Sequence, residues 1–351
     1  MNDIFNSFKL LNHFNKIENM IKNNNTYPIA VEIDLTNLCN HDCIWCMFDR
    51  FKAKNPVSLS EDLVYGLLQE LKDCGIKAIT YVGGGEPTLH KAFDKIIEKS
   101  FNMGFDVGVV TNGELLEDKA EIIQKYCKFV RVSLDAGTKR THDALHKPKS
   151  NNCKKTSGVT AFGKIIKGIR KVCKNKGDLI VGTAFLVHPD NYFELPELVD
   201  LLSVIGVDYI QIRPVFMKGL IFSDKLLSDL DKIIQKCDEN AKGTGLHIVT
   251  LRNRFKEFNG DDLLPDKCLA HNLLTIIGAD GKVYLCCQLR GNSKFELGDL
   301  NKQYFREIWN SEQRQEAIKK IDLSRCPPCR YKTYNKIMGY MASERRHSNF
   351  L

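Results

Sequence analysis

The sequence predicts an α/β fold: a partial (β/α)6 barrel followed by a small α+β domain. After Pro28, short β-rich segments alternate with longer amphipathic segments. This alternation is typical of parallel strands joined by right-handed helical crossovers. The alternation stops near residue 216. Further along, the runs 273–277 and 282–285 flank a Gly/Asp turn, which indicates a hairpin and therefore a second kind of unit.

Six strands and five helices make up the predicted barrel. The strands cover 30–35, 77–82, 106–110, 128–134, 179–187 and 207–213, and the helices 61–73, 91–103, 114–126, 158–175 and 194–205. Ser60 is a suitable N-cap for the first of these helices, and Gly75 and Gly104 are suitable helix ends. Because active sites of such barrels lie at the carboxyl ends of their strands, we expect the functional residues there.

The domain boundaries follow from the same pattern. We expect an N-terminal helix at 1–27, the barrel at 28–215, a connecting helix and linker at 216–265, the second domain at 266–332 and a C-terminal tail at 333–351. The N-terminal helix is predicted from apolar residues at three- and four-residue steps. They are Ile4, Phe8, Leu11, Phe14, Ile17 and Ile21.

Composition and charge exclude several classes of protein. The 351 residues are 43% hydrophobic and 27% charged, so a large core can form without disulfides or metals. The net charge of +8 comes without a run of five basic residues, which favours a solvated surface over a nucleic-acid face. Neither a secretion signal nor an apolar run of about 18 residues is recognisable. We expect a cytoplasmic protein without membrane contact and without a nucleic-acid partner.

The chain contains 13 cysteines, an odd number that in a reducing compartment favours metal ligation or catalysis over disulfides. Cys39, Cys43 and Cys46 follow the first strand as C-x3-C-x2-C. Three thiolates can hold three irons of a 4Fe-4S cluster and leave the fourth iron open to a non-protein ligand. A zinc site completed by His41 is the alternative. The position after the first strand favours the iron-sulfur cluster.

This cysteine motif resembles that of the radical S-adenosylmethionine (SAM) enzymes, with Trp45 as the aromatic residue before the last cysteine. The glycine-rich run 83–87 and the ends of the third, fourth and fifth strands also resemble family motifs. The resemblance implies a TIM-like barrel and SAM bound at the open iron. The implied SAM contacts are Trp45, Gly84, Gly85, Glu86, Pro87, Asn112, Ser133, Asp135, Lys147 and Val187.

Lys147 stands where related enzymes commonly have an arginine for the SAM carboxylate. A lysine supplies the charge but not the two-pronged hydrogen bonding of a guanidinium. A solvated surface lysine is the alternative interpretation.

A second group of cysteines, Cys268, Cys286, Cys326 and Cys329, resembles the twitch form of the SPASM domain, which holds one auxiliary 4Fe-4S cluster. Four thiolates saturate a cluster, and a saturated cluster favours electron transfer over substrate binding. A zinc ion bound by four thiolates is the alternative. Cys287 could replace Cys286 as a ligand, although the spacing from Gly281 favours Cys286.

Three residues are candidates for catalysis. Arg213 ends the sixth strand and is expected to contact an anion of SAM or substrate; its alternative role is to pair with Glu32 or Asp34 on the first strand. Cys153 and Cys287 are candidate hydrogen-atom donors, which a radical epimerase requires. The other cysteines are expected to be buried hydrophobic residues.

The resemblance implies a radical SAM oxidoreductase with two 4Fe-4S clusters. A 5'-deoxyadenosyl radical would abstract hydrogen from a hydroxylated small molecule, namely a sugar, aminocyclitol or nucleotide sugar. The single auxiliary cluster resembles the 2-deoxy-scyllo-inosamine dehydrogenase type and implies a two-electron oxidation. The external electron donor would be a flavodoxin or ferredoxin. The alternatives are a redox-neutral epimerase or decarboxylase, a peptide-modifying maturase, and a non-catalytic metal protein that binds RNA.

Overall fold

The computed structural model describes residues 5–22, 26–47, 56–149, 159–215, 217, 220–250, 255, 267–326 and 329–343. Within them, ten strands form one sheet. The strands are β1 (Ala30–Asp34), β2 (Ala78–Val82), β3 (Asp106–Thr111), β4 (Phe129–Ser133), β5 (Ile180–Val187), β6 (Tyr209–Pro214), β7 (His247–Thr250), β8 (Leu274–Ile277), β9 (Lys282–Tyr284) and β10 (Glu296–Asp299).

Strands β1 to β6 run parallel in sequential order, as the alternating pattern predicts, and β7 continues the parallel sheet beside β6. The α/β fold and the six strands of the partial barrel are therefore confirmed. At the other edge, β8 pairs parallel with β1 and antiparallel with β9. The predicted hairpin is present, but it extends the barrel sheet. We call the described residues from 267 onward the auxiliary region.

The α-helices of the described residues are α1 (Phe14–Ile21), α2 (Glu61–Asp73), α3 (Phe93–Asn102), α4 (Leu116–Tyr126), α5 (Lys139–His146), α6 (Ala161–Lys174), α7 (Leu195–Ile205), α8 (Asp224–Ala241), α9 (Phe305–Trp309), α10 (Glu312–Lys319) and α11 (Lys332–Ala342). None of the helices in the described segments is long and apolar enough to cross a membrane.

Three helical segments differ from the sequence prediction. Helix α5 was not predicted because its residues are mostly polar; Thr138 caps it by accepting a hydrogen bond from the Thr141 N–H. The pattern of residues 304–320 predicts a single helix, but the segment is split into α9 and α10, because Ser311 caps the second one. Helix α11 lies in the segment expected to be a tail, and its Met338 is fully buried.

The N-terminal segment is helical but packs differently from the predicted stripe. A 3-10 helix, Ser7–His13, precedes α1. Its three-residue turn rotates the apolar face relative to a continuous α-helix, so Leu10, Ile17 and Met20 are the buried residues. Phe8, Leu11 and Phe14 from the predicted stripe remain more than half exposed.

Alternation along the strands decides which side chains face the interior of the barrel. On β4, Val130 and Val132 are fully buried in the hydrophobic core, while Arg131 and Ser133 between and after them are partly exposed on the other face. On β1, Glu32 and Asp34 alternate with the buried Val31 and Ile33. The barrel interior is therefore lined by polar and charged groups.

Candidate active site

The three cysteines of the first motif lie on the loop that follows β1, residues 39–46, which we call the cluster loop. It packs against the glycine loop, residues 83–87, which follows β2. The Glu86 N–H donates a 2.7 Å hydrogen bond to the carbonyl of Leu38. A Cβ on Gly85 would lie 2.0 Å from that carbonyl oxygen. Glycine is thus required at 85 because the two loops touch through their backbones.

The C-terminal end of α5 holds the cluster loop through backbone hydrogen bonds. The N–H groups of Asp42 and Ile44 donate to the carbonyls of His146 and Leu145, each at 3.0 Å. Helix α5, which the sequence did not predict, is therefore a support of the cysteine motif. Its last residue also supplies a side chain to the site.

Three buried histidines pack together: His41 of the cluster loop, and His142 and His146 of α5. Nδ1 of His146 lies 3.4 Å from Sγ of Cys43. Nε2 of His146 lies 3.1 Å from a carboxylate oxygen of Asp135. Nε2 of His41 lies 3.1 Å from a carboxylate oxygen of Glu114. Neither His146 nor Glu114 was predicted from the sequence. The four-residue spacing of His142 and His146, which places both on one helix face, is the signal that indicates His146.

The charge around Cys43 suits a thiolate ligand. Burial alone would raise the pKa of this thiol, but the neighbouring His146 and His41 lower it to about 6. A deprotonated thiol is the form that binds metal. One ligand atom from each of His41, Cys43 and His146 lies within 4.8 Å of the others, so two imidazoles can act on the Cys43 thiol. The donor set of the cluster loop thus fits a metal cluster.

Glu86 is one of the implied SAM contacts, but its carboxylate is engaged within the protein. Oε1 accepts hydrogen bonds from the N–H and hydroxyl of Thr88 and from the Thr111 hydroxyl. Oε2 accepts from the Asn112 N–H at 2.7 Å. The buried carboxylate therefore ties the glycine loop to the end of β3. Asn112 in turn donates to the Asn40 side chain of the cluster loop.

Several other predicted SAM contacts lie around this junction. Ser133 is partly exposed on the interior face of β4. Gly84 lies beside Asp34, since a Cβ at this glycine would be 3.4 Å from the Asp34 carboxylate. Trp45 is almost fully buried between His146 and His188. Pro87 is buried in the first turn of a 3-10 helix that leaves the glycine loop.

Three further predicted SAM contacts, which stay predictions, have different surroundings. Val187 is fully buried in the hydrophobic core, and the neighbouring Leu186 is partly exposed. Both carboxylate oxygens of Asp135 are engaged, by the Leu186 N–H and by His146. Lys147 is exposed at the C-cap of α5 with a φ of 43°, which agrees with the solvated alternative.

The auxiliary cysteines, Cys268, Cys286, Cys326 and Cys329, are partly buried in the auxiliary region. Burial raises the pKa of each of these thiols, for Cys329 to about 11, and Cys329 is also close enough to Cys268 and Cys326 to be affected by their charge. Clustered thiols that resist ionisation lose their protons when a metal binds. The donor set fits a four-cysteine metal site.

Cys286 and Cys287 differ in their surroundings. The backbone N–H groups of Gln288 and Leu289 counteract the effect of burial on the pKa of the Cys286 thiol, and the Leu289 N–H donates its hydrogen bond to the Cys286 carbonyl. Nearby N–H groups favour a thiolate ligand. Cys287 instead lies close enough to Arg330 and Cys329 to act on them electrostatically. Cys153, the other candidate hydrogen-atom donor, lies outside the described residues.

Two arginines of the auxiliary region enter the barrel interior. Nη1 of Arg290 lies 3.0 Å from Oδ2 of Asp34, and its Nη2 lies 3.6 Å from Glu32. Arg330, the residue after Cys329, forms an ion pair with Glu32. Among the described residues, Arg290 and Arg330 form ion pairs with the two β1 carboxylates, and both alternative roles of Arg213 stay predictions.

Sequence reasoning missed Arg290 and Arg330 because they lie about 250 to 300 residues from β1 along the chain. Arg330 directly follows a cluster cysteine, which is the only local signal that it carries. Arg213 lies on β6 beside Leu186 in the strand register and close enough to Tyr209 to act on it electrostatically.

The carboxyl group of Asp34 is unusual for a paired aspartate. Burial raises its pKa to about 7, although Arg290 acts in the opposite direction. Oδ1 is buried without a hydrogen-bond partner in the described part of the chain. Asp34 can therefore exchange a proton near neutral pH.

Two family models match this chain. Residues 33–202 match the Radical SAM superfamily, and residues 268–331 match SPASM, an iron-sulfur cluster-binding domain. The first match covers the cluster loop and the glycine loop, and the second covers the four auxiliary cysteines.

Curated relatives include probable GTP 3',8-cyclases. The protein of Saccharolobus islandicus (strain M.14.25 / Kamchatka #1) is 29% identical over 211 residues, 59% of this chain and 64% of its own length. The protein of Metallosphaera sedula is 27% identical over 211 residues, 59% of this chain and 63% of its own length. The chain thus covers less than two thirds of the length of these relatives.

Solved structures share the fold at low identity. Streptococcus suis SuiB bound to precursor peptide SuiA has a TM-score of 0.65 at 16% identity, covering 90% of this chain and 72% of SuiB. Native anSMEcpe with bound AdoMet and Kp18Cys peptide has a TM-score of 0.62 at 17% identity, covering 90% and 96%. BtrN in complex with AdoMet and 2-DOIA reaches a TM-score of only 0.44 at 14% identity, covering 87% and 93%.

Proposed function

We propose that this chain, a radical SAM enzyme, oxidises a hydroxylated small molecule by two electrons. The chain carries a radical SAM domain followed by a SPASM domain, and its cofactors are SAM and 4Fe-4S clusters. The substrate would be a sugar, aminocyclitol or nucleotide sugar. The proposed setting is the cytoplasm, with a flavodoxin or ferredoxin as the external one-electron donor.

The bound cofactors would supply a 5'-deoxyadenosyl radical at the first cluster and a one-electron acceptor at the auxiliary cluster. Oxidation of a carbinol to a carbonyl removes one hydrogen atom from carbon, one proton from oxygen and one electron. The residues of this chain have to bind the substrate, exclude water and accept that proton.

The observation that supports oxidation is the contact between Arg330 and Glu32. Arg330 is adjacent in sequence to the cluster ligand Cys329, and Glu32 lies in the barrel interior. Only Arg330 therefore separates Cys329 from Glu32 in the barrel interior, in which the substrate would bind. A short distance of this kind favours an electron-accepting role over a purely structural one.

Asp34 is the group placed to accept the proton. It ends β1 beside Gly84 of the glycine loop, and its Oδ1 has no hydrogen-bond partner in the described residues. Its pKa near 7 matches the requirement of a general base at neutral pH. Arg290 holds Oδ2, which leaves Oδ1 as the atom that would receive the proton.

The test is anaerobic incubation of the reconstituted full chain with SAM, a reductant and a metabolite extract. We expect one metabolite to lose two hydrogens in step with 5'-deoxyadenosine release. Cys326→Ala and Asp34→Asn should both abolish that product and still cleave SAM, while Cys173→Ala, a cysteine of α6, should behave as the wild type. A product that forms normally in Cys326→Ala would refute the electron-acceptor role.

A second candidate is a redox-neutral reaction, because the curated relatives are named as cyclases. Deuterium from heavy water at an otherwise inert carbon of the product, with no loss of two hydrogens, would favour this candidate. Cys287 would then be the hydrogen-atom donor to test, since it lies beside Arg330 at the edge of the barrel interior.

A further inference from the structure

The barrel interior contains a cation that neither cluster explains. Arg131 lies on the interior face of β4, since its neighbours Val130 and Val132 are buried in the core on the opposite face. Across the interior, Glu32, Arg330 and Tyr331 are close enough to act on it electrostatically. Arg131 therefore stands inside the barrel, between β4 and the auxiliary region.

Arg131 has no anionic partner within the described residues. Its Nε is buried without a hydrogen bond. Glu32 is already paired with Arg290 and Arg330, so the two β1 carboxylates face more guanidinium groups than they can neutralise. Burial, followed by the charge of Arg330, lowers the pKa of Arg131. A partly buried guanidinium whose Nε lacks a hydrogen bond and that forms no ion pair is costly, and an anionic ligand would remove that cost.

Strand β6 brings further donors to the same place. Tyr209 packs over Gly182, where a Cβ would lie 2.0 Å from the tyrosine ring, and Gly182 is the register partner of Arg131. Arg131 and Arg213 both act on Tyr209 electrostatically. Phe5 covers the ring of Tyr209 edge-on, at 5.0 Å between ring centroids. Tyr209 is thus buried on the same face of the sheet as Arg131, close enough to both guanidinium groups to be affected by their charge.

We propose that Arg131, Tyr209 and Arg213 bind an oxyanion of the substrate, a carboxylate or phosphate group, inside the barrel. This inference rests on the proposed function and names the substrate class as an anionic hydroxylated molecule. Arg131 is two residues from Ser133 on the same face of β4, about 7 Å deeper in the barrel. The anion would anchor the substrate deeper in the barrel than Ser133, an implied SAM contact, and leave its other end near the cluster loop.

The experiment is isothermal titration calorimetry of the reconstituted full chain with inorganic phosphate and, separately, with acetate. The anion that matches the substrate should bind the wild type. Arg131→Gln should weaken that binding about tenfold to a hundredfold, the usual effect of losing a charged hydrogen bond. Arg131→Lys should weaken it less, because it keeps the charge but not the fork. Arg140→Gln, an exposed arginine on α5, is the matched control and should bind as the wild type.

The phosphate and acetate arms distinguish the two kinds of oxyanion. Equal affinity of Arg131→Gln and wild type, or no binding of either anion to the wild type, would overturn the proposal. If Arg131→Gln does not fold, anion binding by Arg131→Lys is compared with the wild type instead, and equal affinity of these two proteins would overturn the proposal. Because binding is measured without turnover, this result is independent of whether the reaction is an oxidation.

Discussion

Nη1 of Arg290 lies 3.0 Å from Oδ2 of Asp34 and joins the segment after β9 to the last residue of β1. Both side chains are almost fully buried. The auxiliary region therefore contributes to the interior of the barrel as well as adding strands to its sheet. The contact links the region of the auxiliary cysteines to the residue that we propose as the proton acceptor.

Replacing Arg290 by methionine should lower the free energy of unfolding by about 3 to 5 kcal/mol, because two buried carboxylates lose a partner. Urea denaturation of the two proteins measures this difference. Arg325→Met is the control, since the Arg325 side chain is 86% exposed, and it should change stability by no more than about 0.5 kcal/mol. An Arg290 variant as stable as this control would show that the ion pair is not structural.

The raised pKa of Asp34 predicts a pH dependence of stability. Its native pKa of about 7 lies above the ordinary 3.8, so between these values the native state binds more protons than the unfolded state. The contribution of Asp34 to stability is therefore full below about pH 4 and is lost as the pH rises through about 7, by at most about 4 kcal/mol. The groups that act on it are Arg290, Glu32 and Asp280.

Asp34→Asn cannot ionise and should lack this component. We expect the stability difference between the variant and the wild type to shift in favour of the variant from pH 5 to pH 8, as measured by urea denaturation at each pH. A difference that stays constant over this range would contradict the raised pKa.

Some features of this protein are predictable from local sequence and others depend on contacts between distant parts of the chain. The strands, Cys39, Cys43 and Cys46 were predictable because hydrophobic periodicity and short cysteine spacings are local properties. Helix α5 was not, because its polar sequence is stabilised by Thr138 and by contact with the cluster loop. The pairing of Arg290 with Asp34 was not, because it depends on β8 adding to the edge of the barrel sheet, a contact between distant parts of the chain.

Burial also set a limit on the resemblance. Val187 follows the family pattern in sequence, yet the strand alternation turns its side chain into the core, and only the neighbouring Leu186 is partly exposed. A one-residue difference in register reverses the face of a strand.

Cys286→Ala and Cys287→Ala separate the two adjacent candidates for the fourth auxiliary ligand. The backbone N–H groups of Gln288 and Leu289 favour the thiolate form of Cys286, so the loss of this thiol should remove about four of about eight irons per chain. Cys287→Ala should keep all of them. Iron determination after anaerobic reconstitution measures both, and the opposite result would assign the cluster to Cys287.

His146 is a positioning residue for Cys43, whose Sγ lies 3.4 Å from its Nδ1. His146→Ala should reduce SAM cleavage about tenfold to a hundredfold, as is usual when a partner of a metal ligand is removed. It should also change the electron paramagnetic resonance signal of the reduced first cluster. His247→Ala, at an exposed position on β7, is the control. An unchanged signal in His146→Ala would leave the histidine with a packing role only.

The presence of two clusters with separate roles can be tested by iron content and 5'-deoxyadenosine formation in the wild type, Cys43→Ala and Cys326→Ala. Both quantities are measured after anaerobic reconstitution with SAM and a reductant. The wild type should hold about eight irons, and each variant about four. Cys43→Ala should form no 5'-deoxyadenosine, whereas Cys326→Ala should still form it. Zinc in place of iron, or 5'-deoxyadenosine formation by Cys43→Ala at the wild-type rate, would contradict the assignment of two iron-sulfur clusters with separate roles.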